Sequence, residues 1–297
     1  MFHGLTTYPI TPMDESGIDF IAYSRLIHRL VEAGVDGIGA LGSTGNAVYL
    51  SIEERKRVAI EAVKQAGVTP VIVGISALRT RDVLKLAEDA QYAGAKALLL
   101  APMSYQKLSE EEVYHLYEKV SAHVSVPLCV YDNPATTNFT FSDMLLGEIA
   151  KFNPVKAIKL PPVQLQPSLA EARIRLLRNH LPKDVAIGIS GDASAATALN
   201  AGCDGWHSVI GGIFPETTKN IFNASKEGDK LLAKNLSDKL QPLWDLCLYN
   251  RGSLRVFATA AELLGLVRAP YLPSPLKPLP ADAKMQLAKV LKSLPLK

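Results

Sequence analysis

Short, continuously apolar runs alternate along the chain with longer stretches in which apolar residues recur at helical spacing. The runs fall at 5–10, 37–41, 70–75, 97–101, 127–131, 155–159, 185–189 and 205–209. They do not alternate apolar with polar, so they predict parallel strands covered on both faces. Helical periodicity occupies 20–33, 52–65, 80–92, 109–124, 141–151, 167–179, 193–201 and 215–226. Two helix starts are explicit: Ser51 precedes Glu54 and Ser109 precedes Glu112, each a hydroxyl followed three residues later by a glutamate. Eight strand–helix units in about 225 residues are the count and length of a TIM (β/α)8 barrel, an α/β fold. A doubly wound open sheet is the rival, but it carries a glycine-rich fingerprint after its first strand. Here the first strand runs into Thr11-Pro12-Met13-Asp14. Past Gly228 the pattern is helical only, at 229–249, 254–264 and 281–294, with a proline-rich linker at 268–280. The expected organisation is a barrel over 1–227 and a C-terminal helical extension over 228–297, packed on the barrel.

Two strand ends carry chemistry. Lys159 closes the sixth run, Val155-Lys156-Ala157-Ile158-Lys159-Leu160, just before Pro161-Pro162. A buried lysine is costly unless its amine is used. Burial favours the neutral form of an amine, and a neutral amine attacks a ketone to give a Schiff base. Tyr131 holds the equivalent place one strand earlier, in Val130-Tyr131-Asp132-Asn133-Pro134. Neighbouring strands lie about 4.8 Å apart, so both tips share the barrel mouth. A lysine beside a tyrosine there points to carbonyl chemistry with a proton relay. By period two, Lys159 shares a face with Val155 and Ala157, while Lys156 points to solvent or the helix layer with its head free. After the second strand comes Gly42-Ser43-Thr44-Gly45-Asn46, where glycines let amides converge on an anion and hydroxyls add donors. Alone, this loop reads equally as a tight strand-to-helix connection. The seventh strand ends in Ser190-Gly191-Asp192, where Asp192 is either a helix cap or a substrate contact. The eighth carries His207, either a structural histidine or one facing substrate.

Composition narrows the function. Of 297 residues, 48% are apolar and 21% charged, which argues against disorder. The net charge of +3 comes without a dense basic block, so no nucleic-acid partner is expected. Cys129, Cys203 and Cys247 lie far apart, without metal or CxxC spacing, as in a reduced compartment. No metal cluster is visible, which fits a lysine-based mechanism. No leader follows Met1-Phe2-His3-Gly4, and no apolar run approaches the length of a membrane span. A cytoplasmic protein is the expectation.

The order Gly42-Ser43-Thr44-Gly45, Tyr131-x-x-Pro134, Ile158-Lys159 and Ser190-Gly191-Asp192 resembles the dihydrodipicolinate synthase/N-acetylneuraminate lyase family over the whole chain. The resemblance implies a class I pyruvate-dependent aldolase or lyase on a TIM barrel, usually a homotetramer. It needs no cofactor beyond the covalent imine with substrate. It implies that Lys159 forms the imine with pyruvate or another 2-oxo acid. Thr44 and the amides about Gly45 would hold the carboxylate, and Tyr131 would shuttle protons with Ser43. A tyrosine from a neighbouring subunit often completes the relay in the synthases, and Tyr105 is the nearest match. The alternative for Tyr105 is interface packing.

Several positions depart from the pattern. The synthases carry an arginine two residues after the proline of the tyrosine motif, where it binds the second substrate's carboxylate. Thr136 stands there, which argues against lysine biosynthesis. Sialic acid lyases place a hydroxyl residue at the position of Pro161 and an acid at the position of Ala193. His207 replaces an aliphatic residue, and Asn46 replaces a common glutamate. The expected function is therefore a Schiff-base aldolase or lyase joining or cleaving pyruvate and an aldehyde, with a 2-oxo acid or keto-deoxy sugar acid type of substrate. Alternatives are 4-hydroxy-tetrahydrodipicolinate synthase proper, or a non-catalytic 2-oxo acid binding protein on the same barrel.

Overall fold

A computed structural model describes all 297 residues. Eight strands close into an all-parallel barrel in the order β1 (Leu5–Thr7), β4 (Gly37–Ala40), β5 (Val71–Gly74), β6 (Ala97–Leu100), β7 (Leu128–Tyr131), β8 (Val155–Leu160), β9 (Ala186–Ser190) and β10 (Gly205–Ser208), with β10 pairing back to β1. Closure is set by Thr6, which opposes His207 on one side and Gly37 on the other. All eight expected strands are present, each trimmed or shifted by one to three residues from its apolar run. The outer layer contains α1 (Phe20–Glu32), α2 (Ile52–Ala66), α3 (Thr80–Tyr92), α4 (Glu110–Ser121), α6 (Asp143–Ile149), α7 (Pro167–Arg178), α8 (Ala195–Asn200) and α9 (Pro215–Lys226). Both expected capping boxes form, Ser51 with Glu54 and Ser109 with Glu112, each worth about 1 kcal/mol.

The differences from the sequence pattern have local causes. The hairpin β2 (Met13–Asp14) and β3 (Gly17–Ile18) is too short to show a period, and its turn is held by Asp14 accepting from the Ser16 amide at 2.8 Å. The one-turn helix α5 (Pro134–Thr137) starts on a proline, whose fixed φ suits the first helical position. The single helix expected over 229–249 is two, α10 (Lys230–Asp238) and α11 (Gln241–Tyr249), because Pro242 cannot continue the first and instead begins the second. Then follow α12 (Ser253–Leu263) and α13 (Ala281–Ser293). The period-two reading of β8 fails at its start. Leu128 opposes Val155 but Cys129 opposes Ala157, so an irregularity at Lys156 puts Val155 into the outer core while Ala157 faces inward. The Lys156 head is not free: it pairs with Asp184 at 2.7 Å.

The core divides in two. The larger part packs between the barrel wall and the helices. The smaller part fills the barrel interior with Tyr8, Ile72, Ala97, Leu99, Ala101, Cys129, Tyr131, Ala157 and Ala186. Most of these are small, which leaves room for a few large polar side chains. Gly39 and Gly188 clear that room: a Cβ at Gly39 would overlap the Tyr8 ring, and one at Gly188 would lie 2.6 Å from the His207 imidazole. No helix is long and apolar enough to cross a membrane.

Candidate active site

The register of β7 and β8 sets Tyr131 opposite Lys159 at the C-terminal strand ends. That is the end where barrel chemistry gathers. Lys159 is 4% exposed, and its amine is covered by two aromatic rings. Its Nζ lies 3.8 Å from the Tyr131 ring centroid and 4.2 Å from the Tyr8 ring centroid. Ring faces carry negative electrostatic potential, so this slot suits a cation. The Tyr131 hydroxyl lies 3.4 Å from Ser43 Oγ and accepts from Asn133 Nδ2 at 3.0 Å. Asn133 Nδ2 also donates to Thr136 Oγ1 at 2.6 Å, which ties α5 to the tip of β7.

The loop after β4 brings Ser43 and Thr44 to the same place. Leu41 and Asn46 both adopt positive φ, 58° and 55°, bending the chain tightly back on itself. Gly45 fits this bend because a Cβ there would meet the Leu41 amide nitrogen at 3.0 Å. Gly42, Ser43 and Thr44 line a cavity of about 520 Å³ together with Tyr131, Thr136 and Thr137. The C-terminal extension adds Arg251, Gly252, Ser253, Leu254, Arg255 and Leu276 to the lining. Lys159 is not in this lining, being sheathed by the two rings.

Lys159, Tyr131, Ser43, Thr44, Gly45 and Thr136 are thus gathered at one mouth. The other sequence candidates lie elsewhere. Asp192 is buried below the mouth and neither caps α8 nor lines the cavity. Its carboxylate accepts from Trp206 Nε1, Ser208 Oγ and the amides of Val209 and Ile210 at 2.9–3.2 Å, fastening the end of β10. Burial pushes its carboxyl up, and these hydrogen bonds pull it back. His207 does not line the cavity either. It is 2% exposed, and its Nδ1 lies 2.9 Å from the Tyr8 hydroxyl. Burial, reinforced by the Lys159 charge, holds the imidazole well below the ordinary histidine range. The neutral ring meets the Tyr8 hydroxyl, and Tyr8 in turn covers the Lys159 amine. Tyr105 lies on the loop between β6 and α4 at 89% exposure and does not line the cavity.

Two elements escaped the sequence reading. Tyr8 was hidden as one more apolar residue in the first run, although counting by twos from Thr6 places it inside the barrel. Burial, then Cys129 and Tyr131, push its phenol well above the ordinary range, so it is a neutral partner for His207. Arg251 and Arg255 sit in what the sequence presents as a packing extension, with nothing local to announce that it reaches the mouth.

Comparison with known proteins agrees with this geometry. The chain matches the Dihydrodipicolinate synthetase family over residues 1–294. It is 29% identical to a 4-hydroxy-tetrahydrodipicolinate synthase of Fervidobacterium nodosum, over 99% of both chains. Among solved structures, dihydrodipicolinate synthase from Agrobacterium tumefaciens str. C58 superposes with a TM-score of 0.93 at 42% identity, over 98% of both chains. A putative dihydrodipicolinate synthetase from Pseudomonas aeruginosa gives 0.88 at 32% identity, over 98% of this chain and 99% of that one. With the closed parallel barrel, the paired Lys159 and Tyr131 and a match across nearly its full length, the chain belongs to the dihydrodipicolinate synthetase family and is an enzyme of the Schiff-base class I aldolase type.

Proposed function

We propose that the enzyme joins pyruvate to an aldehyde, or cleaves the product, through an imine on Lys159. The observation that carries this reading is the Lys159 amine held 3.8 Å from the Tyr131 ring, beside the Gly42-Ser43-Thr44-Gly45 loop. The amine attacks the ketone carbon of pyruvate, and water leaves to give an iminium cation. The aromatic slot that suits an ammonium suits this cation equally. The iminium acts as an electron sink, so the adjacent methyl loses a proton and becomes an enamine. The enamine carbon attacks the aldehyde carbon, whose oxygen takes up a proton. Water then releases the product and restores the amine. Tyr131 serves as acid and base in turn, with Ser43 and Asn133 fixing its hydroxyl. Thr44 and the loop amides hold the pyruvate carboxylate by preorganised donors. On this reading the covalent imine replaces any separate cofactor.

Thr136 supports an aldehyde other than the one used by the relatives named as synthases. Its hydroxyl is neutral and already accepts from Asn133. A panel of aldehydes supplied with pyruvate, including aspartate semialdehyde and sugar-derived aldehydes, tests the proposal by product mass. The expected result is a condensation product with at least one aldehyde other than aspartate semialdehyde. Turnover of aspartate semialdehyde alone would overturn the choice of substrate, and no product from any aldehyde would overturn the aldol step.

A further inference from the structure

Arg251 and Arg255 are the only charged residues among those lining the cavity, and no acidic residue lines it. Neither guanidinium comes within 4.0 Å of a carboxylate.

Their placement also runs against local preference. Arg251 has φ 60°, in the left-handed region that residues other than glycine seldom adopt. Arg255 stands in the first turn of α12, where the helix dipole disfavours a cation, and no acid in that turn offsets it. Two local rules broken within five residues, both on the wall of one cavity, mark a place shaped by use rather than by folding.

We propose that Arg251 and Arg255 form an anion subsite that holds a charged group at the far end of the aldehyde substrate, either a carboxylate or a phosphate monoester. This rests on the aldolase reading for the identity of the ligand as an aldehyde. The cavity has about 520 Å³ to fill, and Tyr131, Ser43 and the arginines all line it, which suits a small molecule reaching both groups. Guanidinium groups pair with either anion by charge-assisted hydrogen bonds. With Thr136 neutral, the two arginines provide the lining's only positive charge.

Calorimetric titration of the full-length protein tests this without turnover. Succinate and glycerol 3-phosphate are the anionic probes; succinamide and glycerol are their neutral counterparts. At least one anion is expected to bind, with affinity roughly tenfold weaker in R251Q/R255Q, while neither neutral compound binds. The preferred anion tells carboxylate from phosphate. The proposal is overturned if neither anion binds the wild type, or if a folded double variant binds as well as the wild type. If the double variant does not fold, R251Q and R255Q are compared singly, and salt provides a second readout on the wild type. Affinity is expected to fall steeply up to about 0.5 M salt, and an unchanged affinity would contradict the proposal. Borohydride trapping of pyruvate, measured separately, reads the aldolase proposal. Anion binding without trapping removes the aldolase and leaves the subsite; trapping without anion binding does the reverse.

Discussion

Tyr8 shows how a single side chain can prepare the site without lining it. Its ring covers one side of the Lys159 amine, and its hydroxyl meets His207 Nδ1 at 2.9 Å. The two functions separate by substitution. Tyr8→Phe keeps the ring but leaves a buried imidazole nitrogen without its partner, which costs about 1–3 kcal/mol. Tyr8→Leu also removes the ring face from the amine. We therefore expect denaturant unfolding to show both variants destabilised. The rate of imine trapping by borohydride should fall much further in Tyr8→Leu than in Tyr8→Phe. Equal rates in the two would mean that the ring face plays no part in presenting the amine. The sequence hid this arrangement because Tyr8 and His207 are 199 positions apart, and the glycines that make room for them lie on two further strands.

At the scale of elements, the end of β7 joins the site to the helix layer through neighbouring residues. Tyr131 faces inward, whereas Asp132 is buried near the ion pair between Arg173 of α7 and Asp143 of α6. Burial raises the Asp132 carboxyl from 3.8 to about 6, with Arg173 opposing the shift and Asp143 adding to it. The folded state thus holds this proton more tightly than the unfolded chain does. Its contribution to stability is complete below about pH 4 and is lost as pH rises through about 6. Asp132→Asn removes that dependence. Relative to wild type, the variant should gain stability between pH 4 and pH 7, read as a growing difference in melting temperature; a pH-independent difference would refute the assignment. Strand ends such as Tyr131 and Lys159 were legible in the sequence because buried parallel strands are unbroken apolar runs, against which a polar tip stands out. The start of β8 was not, because an irregularity in pairing at Lys156 leaves no trace in the residue pattern.

The whole molecule is a barrel whose mouth is partly walled by its own C-terminal extension. Arg251 to Arg255 and Leu276 share the cavity with the strand-end loops, although at least 114 positions separate them from Thr137, the last lining residue before them. Helical periodicity predicted that α12 exists and that it packs. Where its first turn would land depends on tertiary packing, which periodicity does not encode. Tyr105 belongs to the same scale. At 89% exposure on the loop after β6 it is available to a second copy of the chain rather than to its own site. The family resemblance implies a tetramer. Light scattering on the purified protein should give the mass of four 32.1-kDa chains, and a monomer that turns over at full rate would exclude Tyr105 from the relay.

On the aldolase reading, the sheathed amine of Lys159 is the one that condenses with substrate. Borohydride reduction in the presence of pyruvate, followed by peptide mass mapping, tests it most directly. The predicted result is a single stable adduct on Lys159, absent from Lys159→Ala. An adduct on another lysine, or none on a folded wild-type enzyme, would contradict it.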